Sequence, residues 1–283
     1  MSALTDTYPL ANGGRIPEVG FGTWLLAEGD ECYGAVREAL DAGYRHIDTA
    51  RAYHNEASVG RAVRDSGIPR DQLFITSKLP AEAKSHDAAV SEFETTMEQI
   101  GLDYLDLYLV HAPWPWAERG ADYRAENKVI WKDMEAFLAS GRVKAIGVSN
   151  FGRGDLDSLL PAAATIPMVD QIRWFIGLDV ADTVAACAEH GNVVEAYSPF
   201  AHGMIVNHPE SSDMAAGYDV SAPQLCIRYL LDKGAVVLPK ATSAAHIRQN
   251  AALDFAITDA DRAVLDAMRD TEHHPDAKAA SWS

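Results

Sequence analysis

Four residues of this 283-residue chain have the types needed to hand a proton to a polarised oxygen: Asp48, Tyr53, Lys78 and His111. Asp48 closes the run His46-Ile47-Asp48, with Tyr53 just beyond it; Lys78 ends Thr76-Ser77-Lys78, and His111 follows Val110. An unperturbed tyrosine, with a pKa of about 10, donates reluctantly near neutrality. An ammonium group beside it stabilises the phenolate, so Lys78 is expected to lower the pKa of Tyr53 and make it a general acid. A buried ammonium needs a carboxylate partner, the role open to Asp48. His111 would hydrogen-bond a substrate carbonyl and stabilise the alkoxide developing there. None of the four gives or takes a hydride, so reduction by this set requires a bound cofactor. Taken singly, Asp48 also suits a helix N-cap and Tyr53 suits core packing; the conjunction points to a site.

The elements that must position these residues alternate along the chain. Apolar, strand-like runs centre on Val19–Phe21, His46–Thr49, Leu73–Ser77, Leu105–Val110, Ala145–Val148, Met168–Ile172, Val193–Tyr197 and Val236–Leu238. They are almost continuously apolar, as parallel strands covered on both faces should be. Helical patterns lie between them. One carries Tyr33, Val36 and Leu40 on one face, with Asp30 as the expected N-cap and Gly43 as the stop. A second starts at Asn55 and ends before Gly67, and a third aligns Val90, Phe93, Met97 and Ile100 before Gly101. Strict strand–helix alternation predicts a (β/α)8 TIM barrel forming a single domain over residues 1–283. An N-terminal β-hairpin turning at Asn12-Gly13-Gly14 is expected to cap its floor. Reactive side chains in such barrels project from the carboxyl ends of the strands. Asp48, Lys78 and His111 come from three successive strand ends, which makes them neighbours around the ring.

Composition narrows the partners. With 24 basic against 41 acidic residues the formal net charge is −17, which argues against nucleic acid as the ligand. Cys32, Cys187 and Cys226 are scattered, without the spacing of a disulfide framework or a zinc site. No H-x-H or paired carboxylates stand at the strand ends, so no metal is expected. The N-terminus lacks the pattern of a secretory signal, and no apolar run approaches a membrane span. The expectation is a cytoplasmic monomer acting on a small-molecule carbonyl substrate.

Familiar nucleotide loops are missing. Gly20-Phe21-Gly22 lacks a third glycine, since Leu25 takes that place, and no G-x-x-x-x-G-K-[ST] occurs. Longer segments nevertheless carry a resemblance. They are Gly20-Phe21-Gly22-Thr23-Trp24, Gly43-Tyr44-Arg45-His46-Ile47-Asp48-Thr49-Ala50 with Tyr53 and Asn55-Glu56, and Ile146-Gly147-Val148-Ser149-Asn150-Phe151. Ala196-Tyr197-Ser198-Pro199 and Leu238-Pro239-Lys240 complete the series. In this order and spacing the chain resembles the aldo-keto reductase family over nearly its whole length, and is similar to its short prokaryotic 2,5-diketogluconate reductase-like members. The resemblance implies that Asp48, Tyr53, Lys78 and His111 are a catalytic tetrad and that NADPH is the cofactor. It implies that Ser149, Asn150 and Gln171 hydrogen-bond the nicotinamide carboxamide while Tyr197 stacks on the ring. Ser198 and Phe200 would follow the pyrophosphate, and Lys240, Thr242, His246, Gln249 and Asn250 would surround the adenosine end. Thr23 and Asp48 would also border the cofactor, and Trp24, Tyr53, His111, Ala112 and Trp114 would line the substrate pocket.

Three departures matter. Ala112 stands after His111 where the family often has Trp, with Trp114 two residues later. Arg173-Trp174-Phe175-Ile176 replaces the commoner Glu-Tyr-His-Pro, an expected change of packing outside the sixth strand. Ala241 replaces a usual Ser and His246 a usual Arg, so NADH is a possible second cofactor beside NADPH. The short, Ala-rich tail implies an open pocket, and Trp282 is expected either to be a chance surface residue or to line that pocket beside Trp24. An alternative reading is a nucleotide-binding regulatory protein on the same fold, with little turnover; reduction of a simple aldehyde separates the two. The His246 departure is testable. His246→Arg restores a fixed, fork-shaped cation and should tighten NADPH several-fold more than NADH, read as two dissociation constants. Equal changes in both would separate His246 from the 2′-phosphate.

Overall fold

A computed structural model describes residues 3–273, so the expectation for Trp282 lies outside the described residues. The chain opens with β1 (Thr7–Pro9) and β2 (Arg15–Pro17), followed by β3 (Phe21–Gly22), α1 (Asp30–Asp41), β4 (His46–Asp48) and α2 (Glu56–Asp65). Then come β5 (Phe74–Leu79), α3 (His86–Ile100), β6 (Leu105–Val110), α4 (Arg124–Ala139), β7 (Val143–Ser149) and α5 (Arg153–Leu159). The last stretch contains β8 (Val169–Arg173), α6 (Ala181–His190), β9 (Val193–Tyr197), α7 (Pro209–Gly217), α8 (Ala222–Asp232), β10 (Val236–Leu238), α9 (Ala244–Ala251) and α10 (Asp259–Ala267).

Strands β3 to β10 pair in sequence order, all parallel, as one eight-stranded sheet. The ring closes where Val19 pairs with Val237 and Gly20 N–H donates to the Val237 carbonyl at 2.9 Å. This is the predicted (β/α)8 barrel, with α7 added in the connection after β9 and α10 after the last strand. The hairpin of β1 and β2 places Leu10 and Ile16 against Phe74, Leu107 and Val236 and closes the barrel floor. Its turn needs Gly13, whose φ is 84°.

Most boundaries follow the predicted ones, and the deviations have local causes. The first strand is shorter and later than expected. Val19 and Gly20 still pair with β10, and glycine is needed there because a Cβ would stand 2.6 Å from Leu238 and 2.7 Å from His46. The N-cap of α1 is Gly29, with φ 101°, and Asp30 is instead its first residue, placing a carboxylate in the positive first turn. Gly60 lets α2 meet the end of α3, since a Cβ there would lie 1.7 Å from the Ile100 carbonyl oxygen. Among the described residues no helix is long and apolar enough to cross a membrane.

Candidate active site

Lys78, the last residue but one of β5, is fully buried, and its ammonium is the centre of the site. An ammonium has three N–H donors. Lys78 Nζ lies 2.7 Å from both Asp48 Oδ1 and Oδ2 and 2.8 Å from the Thr49 carbonyl oxygen. The Tyr53 hydroxyl is further off, at 3.4 Å, and the ammonium stands 4.9 Å from the tyrosine ring centre. Tyr53 is placed by a single 3₁₀ turn, Arg51–Tyr53, directly after β4. His111 leaves the end of β6 with its backbone N–H on the Leu79 carbonyl, and its ring sits 5.6 Å from the Tyr53 ring. Three strand ends and one turn thus bring the four predicted residues together.

The electrostatics correct one expectation. Burial and the Asp48 charge hold Tyr53 well above its ordinary value, rather than Lys78 lowering it. The physical reason is that the Tyr53 hydroxyl is itself buried and faces the Asp48 carboxylate, while the three short Lys78 contacts go to Asp48 and Thr49. Tyr53 therefore stays a phenol, the form that can donate. Burial and the Lys78 charge push His111 well below the ordinary histidine range, so its ring is neutral and keeps one N–H.

These groups border a cavity of about 840 Å³ at the carboxyl ends of the strands. Of the residues predicted for the site, Trp24, Asp48, Tyr53, His111, Ser149, Asn150, Gln171, Tyr197, Ser198, Phe200, Lys240 and Thr242 line it. Along one wall Asn150, with φ 62°, donates to Ser149 Oγ at 3.0 Å and to the His111 carbonyl at 2.9 Å, while Tyr197 OH donates to Asn150 Oδ1 at 2.7 Å. Ser149 Oγ donates to the Gln171 carbonyl at 2.8 Å, and Gln171 Nε2 donates to Asp48 Oδ2 at 2.9 Å. The acidic site and the amide wall are one hydrogen-bonded unit.

Other predicted residues fall elsewhere. Thr23 is buried and turned inward; its hydroxyl donates to the Asp48 carbonyl at 2.9 Å, so its side chain supports the loop after β4. Ala112 is buried, and its carbonyl accepts from Lys84 Nζ at 2.8 Å. Trp114 packs on Trp116 at 5.4 Å, and it is Trp116 that meets His111, at 5.3 Å, and lines the cavity. In α9, His246 and Gln249 are exposed and Asn250 is buried. The Ser243 side chain caps that helix by accepting from His246 N–H. Lys240 and Thr242 border the cavity just before this positively polarised end. Arg119, Arg173, Glu31 and His202 also line the cavity and were not predicted. The aromatic run Trp114-Pro115-Trp116 was the available signal for the first, since Arg119 lies over both rings at 5.3 and 5.6 Å. His202 comes from a loop with left-handed Ser198, Ala201 and His202, and reaches Trp24 at 5.4 Å between ring centres.

The residues present fit a nicotinamide dinucleotide. Tyr197 offers a ring, the Asn150–Ser149–Gln171 wall offers amide contacts, and Lys240 with the positively polarised start of α9 offers a place for phosphate. A parallel barrel with a buried Lys–Asp pair, a phenol and a neutral imidazole at its carboxyl mouth is the architecture of a proton-transferring barrel enzyme. Residues 18–270 match the Aldo/keto reductase family. The chain is 35% identical to a glyoxal reductase of Bacillus subtilis over 96% of this chain and 95% of that one. It is 38% identical to an aldehyde reductase of Saccharomyces cerevisiae, covering 86% and 85% of the two chains. The crystal structure of a Bombyx mori aldo-keto reductase in complex with NADP superposes with a TM-score of 0.84 at 32% identity, over 94% of this chain and 93% of that one. The chain belongs to the aldo-keto reductase family and is an oxidoreductase of that class.

The site predicts its own fragility. Lys78→Met leaves Asp48 buried beside no cation, a change that typically costs about 3–5 kcal/mol when one partner of a buried pair is removed. Chemical denaturation should show that loss, and Lys78→Met/Asp48→Asn should recover part of it. If the double variant is less stable than the single one, Asp48 does not depend on Lys78.

Proposed function

We propose that this protein reduces aldehydes and ketones to alcohols with NADPH, with Tyr53 as the proton donor. The observation that carries the reading is the placement of the Tyr53 hydroxyl 3.4 Å from Lys78 Nζ on the wall of the cavity, with its proton retained by burial and by Asp48. When bound, NADPH supplies the hydride. Ser149, Asn150 and Gln171 hold its carboxamide, Tyr197 packs on its ring, and Ser198 and Phe200 border its pyrophosphate. Lys240, Thr242 and the N-terminal turn of α9, with His246 and Gln249 exposed on it and Asn250 beneath, receive the adenosine end. Lys240 favours the 2′-phosphate, and the NADP of the Bombyx mori relative supports the same choice; NADH is the weaker alternative because imidazole replaces a guanidinium fork.

On the substrate side the chain's own groups do the remaining work. The neutral His111 ring donates its N–H to the carbonyl oxygen, which orients the substrate and stabilises developing negative charge. Tyr53 delivers its proton to the same oxygen, and Lys78 then stabilises the phenolate left behind. Trp24 and Trp116 flank the approach, and Arg119 and Arg173 line the cavity with positive charge. Small dicarbonyls, like that named for the glyoxal reductase relative, and keto sugar acids, whose carboxylate suits the arginines, are the proposed substrates. Tyr53→Phe should leave NADPH binding nearly intact and cut aldehyde reduction by about 10²–10⁴-fold, the usual effect of losing a general acid. A near wild-type kcat in that variant would remove Tyr53 as the donor.

A further inference from the structure

Glu195 lies in the middle of β9, with no side-chain exposure, in an otherwise apolar run. Nothing in the proposed proton transfer uses it. A buried carboxyl group without a use is unusual, since it must be desolvated and satisfied. Its neighbours are specific. Across the parallel rung Gln171 faces Glu195, and Gln171 Nε2 donates to Glu195 Oε2 at 2.7 Å as well as to Asp48 Oδ2 at 2.9 Å. His46 Nε2 is 3.6 Å from Glu195 Oε1, but burial pushes His46 down to about 3, so no ion pair forms there. Burial and the nearby Asp48 charge push the Glu195 carboxyl up, towards a neutral acid that still accepts through Oε2.

A glutamine amide has two unlike ends, and which end faces the cavity is set by what the other end meets. Here Nε2 meets two carboxyl oxygens and has one N–H for each. Turned by 180°, Oε1 would face the same pair, and Asp48 Oδ2, already held as an acceptor by Lys78, has no hydrogen to offer. Asp48 alone would engage only one of the two N–H groups. Asp48 excludes the turned amide, and Glu195 engages the second N–H and so holds the orientation that Asp48 sets.

We infer that Glu195 is a positioning residue that locks the Gln171 amide with Oε1 towards the cavity, so that the site selects a ligand presenting an N–H there, the carboxamide of the nicotinamide ring. This rests on the proposed assignment of Gln171 to that carboxamide. The wall beside it fits such a selection. The Ser149 hydroxyl is committed to the Gln171 backbone carbonyl, and both side-chain N–H groups of Asn150 are engaged within the protein.

The test compares binding of NADP⁺ with that of its 3-acetylpyridine analogue, in which a methyl ketone replaces the carboxamide, using 2′-phospho-ADP-ribose as a control lacking the ring. Wild type should prefer NADP⁺ by roughly three- to tenfold, the size of one neutral hydrogen bond. Glu195→Leu should reduce that preference to within about twofold while 2′-phospho-ADP-ribose binds as in wild type. Glu195→Gln can still accept through its amide oxygen and should keep the preference. If the leucine variant does not bind the control, Glu195→Ala takes its place with a smaller side chain. An unchanged preference in the leucine or alanine variant, or its loss in the glutamine variant, overturns the role of Glu195. Wild type that binds neither NADP⁺ nor the control instead removes the proposed cofactor, and the inference with it.

Discussion

The buried ammonium of Lys78 is the constraint on which the rest of the site depends. Removing a charge from water is costly, and the cost is offset only when every N–H finds an acceptor at good distance. Asp48 and the Thr49 carbonyl meet that requirement from the end of β4, at 2.7 to 2.8 Å. The register between β4 and β5 brings them together: Asp48 pairs with Thr76, two residues before Lys78. Two residues along a strand return to the same face. A one-residue slip would turn the ammonium out of the barrel interior and leave Asp48 without its cation.

From that pair the order spreads in two directions. Towards the substrate, Tyr53 and His111 take opposite characters from the same surroundings. Burial favours the neutral form of each, so the phenol keeps its proton and the imidazole declines one. Both then act as neutral hydrogen-bond donors beside the paired charges of Lys78 and Asp48. Towards the wall, Asp48 passes its orientation to Gln171, and Ser149 and Asn150 continue the chain to Tyr197. A hydrogen-bonded network of this kind holds its members in place at little further entropic cost, because each donor is already committed.

Much of this was legible in the sequence, for physical reasons that also mark where legibility ended. Parallel strands covered on both faces are mainly apolar, so Leu105–Val110 and Val193–Tyr197 are legible despite Asp106 and Glu195, and reactive residues at the carboxyl ends of such strands have only one place to go. The expected run at Val19–Phe21 does close the barrel, but the need for a glycine at position 20 comes from Leu238 and His46, contacts that have no local signature. The direction of the Tyr53 shift differs from the expected one because it depends on how deeply the hydroxyl is buried and on its distance from the Asp48 charge, which the sequence does not show. Loops carry no period, so Trp116, Arg119 and His202 were missed, and Trp114 was favoured over its neighbour. Glu195 had a readable signal, a lone carboxyl in an apolar strand two residues before Tyr197, but only the rung opposite, Gln171, gives it a meaning.

The central claim is that burial and the Asp48 charge keep the proton on Tyr53 while Lys78 is committed to Asp48. Carbon-13 NMR of tyrosine-labelled protein, followed through a pH titration without cofactor, reads this directly at the Tyr53 ring. The account predicts that Tyr53 ionises well above the ordinary value of 10.0, and that Asp48→Asn brings the midpoint down by freeing Lys78 to act on the phenol. A Tyr53 midpoint below 10.0 in the wild-type protein, or one that Asp48→Asn leaves in place, would contradict it.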